Sequence, residues 1–141
     1  MDDPVRLVEK IQRYFAARRG VVAVYLFGSR AVGRERQPSD VDLGIVLDGD
    51  QLEHAAAFVD ECIVALGRIL RKDVHPVILN VASEELLRQI FQKGRCVAVN
   101  DIAKLSRFRT LMYSRIADFG QYRDQAQQGL IRRVMGAGHI G

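Results

Sequence analysis

The sequence predicts an α/β protein with a small mixed sheet of about four strands, helices flanking it, and a long helix at the carboxy terminus. Two observations carry this. Stretches with apolar residues at helical spacing alternate with apolar runs of five to seven residues bounded by Gly, Pro or polar turns. Such alternation, joined by short loops, packs helices onto a sheet. The chain has 141 residues, 48% of them hydrophobic and 27% charged, an ordinary composition for one folded domain. A domain near that size buries roughly 68–70% of its unfolded surface, so a packed core forms without disulfide or metal staples. The expected organisation is one domain over 1–141, with a core at about 4–101 and a helical segment at about 102–135.

Asp3 can cap a first helix with Pro4 in its first turn; Val5, Val8, Ile11 and Phe15 repeat at helical spacing over about 4–18, and Gly20 stops it. Val21 to Phe27 is an uninterrupted apolar run, a buried first strand. Ser29 to Gly33 can start a short helix, and 34–39 is a polar loop in which Pro38 biases Gln37 away from helix. Val41 to Leu47 is the second strand. A long helix follows over 51–71, with Leu52, Ala56, Val59, Ile63, Leu66 and Leu70 on one stripe. The third strand is 73–79. Ser83 starts a helix that Gly94 ends at about Lys93, Arg95 to Val99 is the fourth strand, and Asp101 can cap the last helix. Gly120 and Gly129 weaken that helix, which therefore kinks or divides, and the tail from Gly136 frays.

Of the net charge of +4, more than the whole comes from 102–135, where Lys104, Arg107, Arg109, Arg115, Arg123, Arg132 and Arg133 face only Asp118 and Asp124. Such asymmetry suits nucleic acid or an acidic partner surface, or is simply a solvated helix face. Leu105, Phe108, Met112, Ile116 and Phe119 share its apolar stripe. Cys62 and Cys96 show no metal-ligand spacing, and both are expected to be small buried hydrophobes. No apolar run reaches ~18 residues and the amino terminus has no basic, then apolar, leader, so a cytoplasmic protein without membrane contact is expected.

The chemistry concentrates in 26–47. Gly28-Ser29 leaves the first strand in a tight turn where backbone N–H groups and a hydroxyl can face an anion. Asp40 and Asp42 are two residues apart, so both leave one face of the second strand, close enough to share a divalent cation. Mg²⁺ takes oxygen ligands, commonly one or two carboxylates plus substrate phosphates. These two halves suit one site for a nucleoside triphosphate and its metal. Arg30 is either an additional phosphate clamp or an exposed surface arginine, and Ser39 can cap or orient Asp40. His54 and His139 have no visible partner and are expected at the surface.

Gly28-Ser29, nine residues, then Ser39-Asp40-Val41-Asp42 resembles the G-S-x(9–13)-S-D-x-D signature of the nucleotidyltransferase fold shared with DNA polymerase beta. The chain looks most like a minimal nucleotidyltransferase, the antitoxin half of the HEPN/MNT toxin–antitoxin pairs. The resemblance spans Val21 to Leu47 and continues from Asp73 to about Asp101.

That resemblance implies a transferase that uses ATP and Mg²⁺ to move AMP onto a protein hydroxyl, the acceptor being a tyrosine of a helical HEPN ribonuclease toxin that is thereby silenced. Nucleic acid is not expected as substrate, and a homo-oligomer stays open. Other readings are a module that neutralises its partner by binding alone, or transfer to a small molecule. The implied site has Asp40 and Asp42 on the metal, with Gly28, Ser29, Arg30 and Ser39 around the nucleotide. The family places a third carboxylate on the strand after the long helix, and anchoring on Leu79, Ala82 and Ser83 puts His75 there instead. Three readings stay open: His75 acts as general base; Asp73, ~6.6 Å back along the same strand face, replaces it as metal ligand if a bulge or Pro76 shifts the register; or the site turns over slowly.

Overall fold

The computed structural model describes residues 4–28 and 40–118. Expectations for the turn and loop over 29–39, for Phe119, Arg123 and His139, and for the end of the last helix lie outside the described residues.

Helix α1 (Pro4–Ala16) buries Val8, Ile11 and Phe15, while Val5, in its first turn, is 62% exposed and does not join the stripe. Strands β1 (Val21–Phe27) and β2 (Asp40–Leu47) follow, then a 3-10 turn (Gly49–His54), helix α2 (Ala55–Leu70), strand β3 (Asp73–Ile78), a short 3-10 turn (Leu79–Val81), helix α3 (Glu84–Lys93) and strand β4 (Arg95–Val99). A last helix, α4, occupies 102–118. Ser83 caps α3 by accepting from the Leu86 N–H, and Asp101 caps α4 by accepting from the Lys104 N–H.

The sheet has the order β3-β2-β1-β4, with β2 and β3 parallel and the other pairs antiparallel. β3 is an edge strand, which suits Pro76, since proline lacks the N–H that an interior strand must donate on both sides. β2 is central and buried along its whole length. Its odd-numbered residues Val41, Leu43, Ile45 and Leu47 pack with α1, α2, Val74 and Ile78 on one face. The other face joins Val46, Tyr25, Leu79, Leu87, Ile90, Leu105 and Met112, under α3 and α4. Phe108 and Ile116 pack against that cluster, so the apolar stripe expected of the last helix docks on the sheet.

The buried face of α2 is Cys62, Leu66 and Leu70, flanked by Ala55, Phe58 and Val59, whereas Ile63 is exposed. The stripe is rotated from the expected one because Leu52 sits in the 3-10 turn, whose three residues per turn break the phase of an α-helical count begun there. Burial pushes the Cys62 thiol up to about 12, consistent with an inert core residue. Cys96, expected inside, is exposed on the edge strand β4. Among the described residues no helix is long and apolar enough to cross a membrane.

Two local devices set β2 in place. The Asn80 amide accepts from the Leu47 N–H and donates to the Leu47 carbonyl, both at 2.9 Å, and so extends the pairing of β2 past the end of β3. Gly44 leaves room for Leu79, since a Cβ there would stand 2.9 Å from Leu79 Cδ2, and Leu79 is fully buried. Gly44→Ala is therefore expected to overpack this contact and lower the unfolding free energy by about 1–3 kcal/mol, read as a reduced denaturant midpoint at unchanged slope.

Candidate active site

Asp40, Asp42 and Gly44 leave the same face of β2, so the carboxylates lie at the end of the sheet where β1 finishes and β2 begins. In register, Asp42 stands between Phe27 on β1 and His75 on β3, and Asp40 stands beside Asp73. Gly28 follows Phe27 directly, which places its backbone N–H one residue beyond the pair formed with Asp42. Gly28, Asp40, Asp42 and His75 thus gather at one end of the sheet. Ser29, Arg30 and Ser39 lie outside the described residues.

Both carboxylates are more buried than a pair open to a cleft: Asp40 is 8% exposed and Asp42 3%. Two adjacent buried carboxylates are costly unless cationic charge or hydrogen bonds compensate them. His75 supplies part of that compensation, its Nε2 lying 3.2 Å from Asp40 Oδ1. A divalent cation would supply more, and the donor set of hard carboxylate oxygens fits Mg²⁺. No three His, Cys, Asp or Glu side chains among the described residues converge as a metal cluster; one or two carboxylates with bound phosphate and water are the usual ligand set of Mg²⁺.

The β2–β3 register runs without a bulge through Pro76. Asp73 therefore remains two pairs outward of His75, exposed at the first position of β3. It is set there by the end of α2: Arg71 takes the left-handed conformation at φ 54°, and the Lys72 N–H donates to the Gly67 carbonyl, so β3 begins two residues after the cap. The contact between His75 and Asp40 is the feature the sequence reading missed. The alternation along β3 put His75 on one face with Asp73, but only the register of β3 against β2 shows which aspartate it meets.

The arginines of α4 are less available to a partner than their helical positions suggested. Arg115 donates to Glu84 on α3 at 2.5 Å, and the Glu84 backbone N–H together with this guanidinium holds the Glu84 carboxyl below its ordinary value. Arg109 lies over the Tyr113 ring. Lys104 pairs with Asp48, and that contact holds the Asp48 carboxyl below its usual range.

Two carboxylates of β2 thus stand beside the residue that follows β1, at one end of the sheet. Residues 9–103, most of the chain, match the family "Polymerase beta, Nucleotidyltransferase", and the chain belongs to it. Among solved structures it is similar to a chain of a toxin–antitoxin crystallised with AMP-PNP, at 25% identity and a TM-score of 0.61, covering 91% of this chain and 98% of that one. It also shares the fold of a chain in the tri-AMPylated Shewanella oneidensis HEPN toxin in complex with MNT antitoxin, at 23% identity and a TM-score of 0.62, covering 93% and 98%. No curated protein matches the sequence.

Proposed function

We propose that this chain is a single-domain, Mg²⁺-dependent adenylyltransferase that moves AMP from ATP to a hydroxyl of a HEPN-type toxin and so acts as its cytoplasmic antitoxin. The observation that carries the reading is the pair of buried carboxylates, Asp40 and Asp42, set beside the end of β1 at one end of the sheet. Support for the nucleotide and the partner comes from the likeness to the toxin–antitoxin chain solved with AMP-PNP. In this mechanism the acceptor oxygen attacks the α-phosphorus, the bond to the β-phosphate oxygen breaks, and pyrophosphate leaves as the hydroxyl proton passes to a base or to water. Asp40 and Asp42 would hold a divalent cation, which when bound would neutralise charge on the phosphates. The Gly28 N–H, with Ser29 and Arg30, donates to the departing phosphates, and Ser39 orients Asp40.

A second reading, neutralisation by binding alone, is favoured by one observation: the residue at the third acidic position is His75, and its Nε2 is engaged with Asp40. Incubating the purified chain with α-labelled ATP, Mg²⁺ and a HEPN ribonuclease partner separates the two. The expected result is label on the partner and loss of its ribonuclease activity that persists after the chain is removed. An inhibited but unlabelled partner, active again on separation, would leave only the binding role.

A further inference from the structure

His75 occupies a position where its chemistry is not interchangeable with a carboxylate. Its ring reaches diagonally across the parallel ladder, from the register pair it forms with Asp42 to the carboxylate of Asp40 two pairs earlier, on the same face. With Asp40 ionised, as holding a cation requires, the carboxylate only accepts and Nε2 is the donor of this contact. The ring sits at the rim, its side chain 40% exposed against 11% for Asp40. The imidazole is thus a lid on one side of a buried carboxylate.

We infer that His75 is a positioning residue that acts through Asp40: the Nε2–H restrains the carboxylate so that Asp40 and Asp42 present their charge to a divalent cation in one orientation. The inference rests on the nucleotidyltransferase reading and assigns a role within it. It differs from a general base, because the nitrogen in contact is a donor to Asp40, and from a metal ligand, because that nitrogen carries a proton. Groups that hydrogen-bond a metal-binding carboxylate or imidazole from behind are worth 10–100-fold in metal affinity. A third carboxylate at this position would add charge to the site; the imidazole adds order without it.

The test uses the full chain saturated with AMP-PNP and Mn²⁺ as the paramagnetic probe. His75→Ala is expected to weaken Mn²⁺ binding by about 10–100-fold while the chain without metal, though less stable for losing its contact with Asp40, still unfolds in one cooperative transition above the assay temperature. His75→Gln, which keeps an N–H donor, is expected to recover most of that affinity, and ¹⁵N-histidine-labelled protein to show no nitrogen directly coordinated to Mn²⁺. Unchanged Mn²⁺ affinity in His75→Ala, a His75→Gln variant as weak as His75→Ala, or a coordinated nitrogen would each overturn the role. Asp42→Asn serves as the separate control: if it binds Mn²⁺ as the native chain does, the metal site itself is misassigned, whereas its failure to bind alongside a normal His75→Ala removes only the positioning role.

Discussion

Asp42→Asn is expected to lower AMP transfer by about 10²–10³-fold, the cost of removing one charged group that stabilises developing charge in a closed site, and at the same time to make the ligand-free protein more stable. Asp42 is 3% exposed and shares its strand face with Asp40, 8% exposed. With no cation bound, two like charges at close range in a poorly solvated position destabilise the folded chain. The amide is nearly isosteric and neutral, so relief of about 1 kcal/mol is expected, a rise of a few degrees in melting temperature for a domain of this size. Opposite signs for activity and stability are the signature of strain kept for function. Calorimetric titration with Mg²⁺ and ATP, beside a thermal scan without them, checks both. Unaltered nucleotide affinity, or a large fall in melting temperature, would mean that Asp42 is structural.

What could be read from the sequence is what local rules determine. β1 and β4 begin and end where expected, because glycines and a polar turn residue bracket their apolar runs, and Ser83 and Asp101 cap the helices their spacing suggested. Pro76, weighed only as a cause of register shift, instead fits β3's place at the edge of the sheet, with the register unbroken through it. Features that depend on register or on neighbouring elements were hidden. The depth of Asp40 and Asp42 follows from β2 being central with α3 and α4 covering the same face further along, an arrangement no period-two pattern encodes. Cys96 lies in an apolar run, yet its strand is an edge with one side open. The meeting of His75 and Asp40 needed strand order, direction and register together.

The largest expected loss of stability comes from Phe15→Ala, and it is expected to leave the site intact. Phe15 is fully buried near the end of α1, edge-to-face with Tyr14 at 4.9 Å and 6.5 Å from the Phe58 ring of α2. It therefore bridges the two helices over the sheet face formed by Val41, Leu43, Ile45 and Leu47. Deleting a buried phenyl ring removes its transfer free energy and leaves a cavity, about 3–5 kcal/mol in all. Against a typical total of about 5–15 kcal/mol, this is enough to bring the unfolding transition close to physiological temperature. Asp40 and Asp42 leave the opposite face of the same strand, so in the fraction that remains folded at low temperature the nucleotide should bind with native affinity. Denaturant unfolding and nucleotide titration at about 10 °C measure the two separately. A parallel loss of affinity would show that the α1–α2 layer sets the geometry of β2 at Asp40 and Asp42, and that the two faces of the sheet are not mechanically independent.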